Sequence, residues 1–189
     1  MIKIAMIGAG SVGFTRTLLM DILAAPALRD TEFRFMDISE ENLAMAANLC
    51  RKMIADAHLP ARVLTTTNQR EAIAGADYVI STVRVGGLTA FAHDIEIPLK
   101  YGVDQCVGDT LGPGGIFYAL RTIPVLLDIA HDIREVAPQA LLINYSNPMT
   151  ACCTGIRKAT GADVVGCCIG TVSVQNMLAR LIGAPEQEV

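Results

Sequence analysis

The sequence has no surplus of basic residues, and this excludes one class of partner at once. Lys and Arg number 15 against 19 Asp and Glu, for a net charge of −4. No cationic stripe is available to neutralise a phosphate backbone, so no nucleic-acid partner is expected. Nor is there an apolar run approaching the roughly 20 residues that cross a bilayer, so no membrane partner is expected either. The first residues lead directly into a strand pattern, with no apolar leader and no small-residue cleavage site, which predicts a cytoplasmic protein. Six cysteines are present, two pairs of them adjacent, but there is no C-x-x-C. In a reducing compartment they read as thiols or ligands and not as a disulfide framework. Repeats and low-complexity stretches are absent. With 52% hydrophobic and 18% charged residues in a chain of 189, disorder is excluded and one domain is expected.

What is present is an alternation of short apolar strands with helical stretches. Strands are predicted at residues 3–7, 32–37, 62–66, 78–83, 140–144 and 163–168. Helices are predicted at 11–25, from the Ser39 cap to about 57, near 69–74, at 92–101, 116–136, from Pro148 to about 160, and at 174–182. Asn42 stands where a capping box would place Glu or Gln after Ser39. The stretch from 86 to 115 is irregular and rich in glycine. Six parallel strands with crossover helices predict an α/β fold, a doubly wound parallel sheet of the Rossmann type, as one NAD-binding domain over 1–189.

Gly8-Ala9-Gly10-Ser11-Val12-Gly13 matches G-x-G-x-x-G between the first strand and first helix. In that context Gly8 allows the tight turn, Gly10 lets backbone approach a pyrophosphate, and Gly13 lets helix and strand pack closely. The helix N-terminus, from Ser11 and Val12 onward, offers free N–H groups and partial positive charge to phosphates. Asp37 closes the second strand, where a carboxylate can accept from both ribose hydroxyls of NAD and repel the 2′-phosphate of NADP. Thr82, near the end of the fourth strand, belongs to the same expected cofactor site. The alternative is a glycine turn with no ligand.

Four later segments carry a family resemblance: Val83-Arg84-Val85-Gly86-Gly87, Gly108-Asp109-Thr110-Leu111-Gly112-Pro113-Gly114-Gly115, Asn144-Tyr145-Ser146-Asn147-Pro148-Met149 and Val165-Gly166-Cys167-Cys168. Together with the N-terminal fingerprint, they resemble the N-terminal half of glycoside hydrolase family 4. That family holds NAD- and metal-dependent α-glucosidases, α-galactosidases, α-glucuronidases and 6-phospho-glycosidases, a known exception to two-carboxylate glycoside hydrolysis. The resemblance implies NAD and Mn²⁺, or a similar divalent ion, as cofactors. It makes Cys168 a metal ligand and Asn147 a bridge between cofactor and sugar, with helix N-capping as the alternative for Asn147. Asp109 could orient a metal-bound water or a sugar hydroxyl, or simply bond its own backbone in a turn. Arg84 could contact substrate, a phosphate included, or be a solvated loop arginine. The sequence alone reads Cys168 as a buried strand-end thiol. The three histidines (58, 93 and 131) fall in predicted helices without ligand spacing and read as surface or structural.

The implied reaction is a redox-assisted elimination: hydride leaves sugar carbon 3 for NAD, the proton on carbon 2 is removed, the aglycone departs, water adds and hydride returns. A small-molecule sugar and a homo-oligomer are the expected partners. Two departures stand out. Cys168 is followed by Ile169, which can neither bind a metal nor transfer a proton. The family's second metal ligand and its tyrosine base lie in a helical substrate domain that this sequence lacks, so a truncated member is expected. The rivals are a dehydrogenase of the lactate/malate type, whose Asp–His relay is not found at a strand end, and an inactive NAD-binding fragment.

Overall fold

The computed structural model describes residues 1–185. Its elements run β1 (Ile2–Ile7), α1 (Val12–Ala24), a 3-10 turn (Pro26–Leu28), β2 (Thr31–Met36), α2 (Glu40–Asp56), β3 (Arg62–Thr66), α3 (Gln69–Ile73), β4 (Tyr78–Ser81), α4 (Gly87–Leu99), α5 (Gly112–Val136), β5 (Leu141–Asn144), α6 (Met149–Thr160), β6 (Val164–Gly166) and α7 (Ile169–Ile182). The six strands form one sheet in the order β3-β2-β1-β4-β5-β6, every neighbouring pair parallel. This is the predicted doubly wound Rossmann sheet. Its order reverses between β1 and β4, and the crevice beyond their C-terminal ends is where such sheets bind ligands.

Strand alternation divides the core between two faces. Ala5, Ile7, Val79 and Leu142 point toward α3, α5 and α6, packing with Ile73, Leu126, Ile129 and Ile156. Ile4, Met6, Phe33, Phe35 and Ile80 point the other way, onto Leu19 and Leu23 of α1 and Leu43 and Cys50 of α2. Removing a fully buried leucine or isoleucine from either layer is expected to cost about 2–5 kcal/mol. No described helix is long and apolar enough to cross a membrane.

The boundaries differ from expectation mainly on the ligand side of the sheet. α4 begins at Gly87 and α5 at Gly112, each several residues ahead of the apolar periodicity, because glycines form their first turns. α7 starts at Ile169 with Cys168 as its N-cap, so the sixth strand is shorter than predicted. Ser39 does cap α2, its Oγ accepting from the Asn42 N–H at 3.3 Å. His58 lies just past α2 at φ +53 and is not helical. His93 and His131 do lie within helices, on α4 and α5.

Candidate functional site

The Gly-rich turn between β1 and α1 is built against two neighbouring strand ends. Gly8 sits at φ +89, a left-handed backbone that glycine adopts without strain, and a Cβ there would lie 3.0 Å from the Thr82 carbonyl. Thr82 Oγ1 donates to Gly8 O at 2.9 Å. The Thr82 N–H donates to Ile7 O, so Thr82, expected within the fourth strand, lies just past the end of β4 and ties it to the turn. Asp37 folds back from the end of β2: Oδ2 accepts from the Gly10 N–H at 2.8 Å and Oδ1 from the Ser39 N–H at 2.9 Å. A Cβ on Gly10 would come within 2.7 Å of Asp37 Oδ2. Gly10 is therefore required by the carboxylate that the sequence assigned to ribose binding.

Gly13 corrects one expectation. A Cβ there would meet nothing within 4 Å, so the third glycine does not serve helix–strand packing. Thr15 ties α1 back to the turn: it is fully buried, with Oγ1 donating to Ala9 O at 2.9 Å. Ser11 is the N-cap of α1 and its side chain makes no capping bond. The first-turn N–H groups after Ser11 lack intrahelical partners by helix geometry. Next to Asp37, Ile38 is 90% exposed, an apolar side chain that the motif reading passed over.

A buried polar cluster lies beneath the crevice. Ser81 Oγ donates to Asn144 Oδ1 at 3.0 Å, and Asn144 Nδ2 donates to Ser146 O at 3.0 Å. The Ser146 N–H returns to Asn144 Oδ1 at 3.1 Å. These bonds join β4 to β5 and set the path of the chain into Asn147. Phe14 of α1 packs edge-on against Tyr145, ring centroids 5.4 Å apart, linking this loop to the Gly-rich helix.

Asn147 does not cap the following helix, because Pro148 occupies that position. Its Nδ2 instead donates to Asp109 Oδ2 at 3.0 Å, and Thr110 Oγ1 donates to Asp109 Oδ1 at 3.2 Å. The sequence named both residues without showing that they meet. Gly114 and Gly115 make the approach possible: a Cβ on Gly114 would lie 2.6 Å from Gly108 O, and one on Gly115 2.6 Å from Thr110 C. The glycines of this motif thus let the Asp109 loop lie directly on the first turn of α5.

Arg84 is exposed yet held in place. Its guanidinium carbon stands 4.9 Å from the Phe91 ring centroid and 5.8 Å from that of Tyr118, within cation–π range. Among the described residues no carboxylate forms an ion pair with it. Burial pushes the Tyr118 phenol above its ordinary range, opposed by the positive charge of Arg84.

Cys168 is exposed at the start of α7, which corrects the picture of a buried strand-end thiol. Ile169 opens that helix, and its side chain lies outside the described residues. Among the described residues no group of three or more His, Cys, Asp or Glu comes together to hold a metal ion. The glycine turn and Asp37 fit a dinucleotide, whereas Cys168 alone does not complete a metal site.

The family 4 glycosyl hydrolase profile matches residues 3–184. The chain belongs to that family. An α-galactosidase of Rhizobium meliloti (strain 1021) is 52% identical over 188 residues, which is 99% of this chain and 38% of the relative. The chain thus spans less than half the length of the relatives it matches. The 6-phospho-β-glucosidase of Thermotoga maritima, solved with manganese, NAD⁺ and glucose-6-phosphate, superposes with TM-score 0.86 at 28% identity, covering 98% of this chain and 44% of that one. A Cryptosporidium parvum lactate dehydrogenase shares the fold alone, with TM-score 0.68 at 18% identity over 98% of this chain and 51% of that one.

Proposed function

We propose that this family 4 glycosyl hydrolase chain is the NAD-holding part of an α-glycosidase of the α-galactosidase type, one domain of a longer enzyme. The hydrogen bond between Asp37 Oδ2 and the Gly10 N–H carries the reading. It sets a carboxylate at the end of β2 beside an open glycine turn, at the sheet's reversal point. Gly8 and Gly10, whose N–H groups bond Met36 O and Asp37, would shape the turn for close approach of the pyrophosphate, which Ser11, Val12 and Gly13 would hold on the backbone N–H groups opening α1, with Thr82 bracing the turn from below. Asp37 would accept from the ribose hydroxyls, and Ile38 would offer an apolar surface to the adenine. Bound NAD would supply a hydride acceptor for a sugar carbon and return the hydride at the end of the cycle.

Asn147, fixed by the Ser81–Asn144–Ser146 cluster, would place its amide between cofactor and sugar. Asp109 would present its carboxylate to a sugar hydroxyl, and Arg84 would contact the sugar or an anionic group on it. The described residues supply Mn²⁺ with the Cys168 thiol and no completed ligand set. A cytoplasmic location is also part of the proposal, the cysteines acting there as thiols. Self-association of the chain is also proposed, to be read by sedimentation velocity.

The test has two arms. Titrated alone, the chain is expected to bind NADH saturably and, with NAD⁺, Mn²⁺ and a reductant, to release no p-nitrophenol, since its described residues supply no completed ligand set for the metal. Fused to the portion of the Rhizobium meliloti α-galactosidase that it does not span, it is expected to release p-nitrophenol, faster from the α-galactoside than from the α-glucoside, with no net NADH. Net NADH from a 2-hydroxyacid would overturn the reading in favour of the dehydrogenase, and a fusion that binds NADH but cleaves neither glycoside would overturn the glycosidase role.

A further inference from the structure

Between α4 and α5 lies a set of side chains that none of the expected roles uses. Arg121 of α5 pairs bidentately with Asp94 of α4, Nη1 to Oδ1 at 2.8 Å and Nη2 to Oδ2. Asp94 is 3% exposed, so this carboxylate is out of water and depends on its partner. Arg121 Nε also donates to Val85 O at 3.0 Å, and its guanidinium carbon lies 5.0 Å from the Tyr118 ring centroid. One guanidinium therefore grips α4 and the backbone next to Arg84 while facing the same ring as Arg84.

The contact continues through Gln105. Its Nε2 donates to Asp94 O at 3.2 Å, and its Oε1 accepts from the Gly114 N–H at 3.3 Å. The carboxamide is wrapped by glycines. A Cβ on Gly108 would lie 2.9 Å from Gln105 Nε2, and one on Gly112 2.9 Å from Oε1. A Cβ on Gly114 would lie 3.1 Å from Nε2. Gly108 and Gly112 both adopt positive φ. The segment that carries Asp109 is thus folded around the Gln105 amide, which is anchored to the Asp94–Arg121 pair.

We propose that Gln105, Asp94 and Arg121 form one positioning unit that holds Asp109 against Asn147 and fixes the Arg84 loop in the same frame. Its functional consequence rests on the glycosidase reading; its geometry does not. Gln105 acts as the post around which the glycine-rich loop is wound, and Arg121 braces that post. A lysine at 121 would keep the charge but could not bridge both Asp94 oxygens and Val85 O, because an ammonium lacks the planar fork.

The experiment uses the ¹⁵N-labelled 189-residue chain and reads the side-chain amide resonances of Asn147. Asp109→Ala defines where those resonances fall without the carboxylate. Gln105→Ala and Arg121→Met are expected to move them most of the way to that position, and Arg121→Lys is expected not to restore them. Backbone resonances of β1 and β2 should stay in place. The proposal is overturned if the Asn147 resonances hold their unmodified positions in Gln105→Ala and Arg121→Met. It is also overturned if they move only together with those of β1 and β2, since the unit would then be ordinary core structure. Should the unmodified chain fail to bind NADH, the cofactor reading fails while the Asn147 resonances still decide the positioning unit.

Discussion

Asn147 Nδ2 donates to Asp109 Oδ2 at 3.0 Å across 38 residues of sequence, joining the loop after β5 to the loop before α5. Neither side chain is fully buried, so the bond contributes about 1 kcal/mol or less to folding. Its value lies in orientation. Asn147→Ala is expected to leave the melting temperature nearly unchanged and to weaken NADH binding by about tenfold, the equivalent of one well-placed hydrogen bond. Thermal unfolding and an NADH fluorescence titration on the same sample check both halves.

Gly10 and Gly13 separate two uses of glycine in one motif. Gly10→Ala drives a Cβ into Asp37 and Asn42, so both stability and NADH binding should fall. Gly13→Ala meets no protein atom within 4 Å and should keep or raise stability, since alanine is the better helix former by about 1 kcal/mol. Loss of NADH binding in Gly13→Ala at unchanged melting temperature would show that the space belongs to the cofactor. Undiminished binding would show that it does not.

Asp37→Ser removes the charge that would oppose a 2′-phosphate and one acceptor for ribose. NADH affinity is expected to fall by about tenfold or more, as for loss of a hydrogen bond to a charged group, and NADPH affinity is expected to rise. Paired titrations give the ratio. Ile38→Ser should lower affinity for both dinucleotides without altering that ratio, because it removes apolar surface from the adenine face and adds no charge beside the ribose.

Two buried thiols give the fold a pH dependence. Burial pushes the Cys50 thiol up to about 11 and the Cys152 thiol up to about 12. Above a thiol's ordinary pKa of about 8.5 the unfolded chain releases these protons while the folded chain keeps them. The stability due to the neutral thiols is therefore complete below about pH 8.5 and is lost progressively as pH rises toward 11–12. A Cys50→Ala, Cys152→Ala chain should start from a lower melting temperature and show a shallower decline between pH 8.5 and 10.5, values set around that same ordinary pKa of about 8.5. An equally steep decline would contradict the assignment.

The sequence made the sheet legible because strand and helix periods differ and both core layers are apolar. Phe33, Phe35, Ile4 and Met6 could hardly face water. The Gly-rich turn and Asp37 were legible for a similar reason: local backbone demands leave a local signature. The glycine-led helix starts at Gly87 and Gly112 were not, since glycine reads as loop when no contact is in view. The Asn147–Asp109 bond and the winding of the 108–114 loop around Gln105 depend on tertiary approach, which spacing does not encode. Gln105 and Arg121 could have been suspected from the motif itself. Glycines at 108, 112, 114 and 115 imply that something lies too close for a Cβ, though not which side chain it is.

The central claim is that the glycine turn and Asp37 form a complete dinucleotide site in this chain. Titration of the 189-residue chain with NADH, with NADPH in parallel, tests it most directly. Saturable binding of one NADH per chain, lost in Gly10→Ala and tighter than NADPH, is the predicted result. A folded chain that binds no NADH, or that prefers NADPH with Asp37 intact, would contradict it.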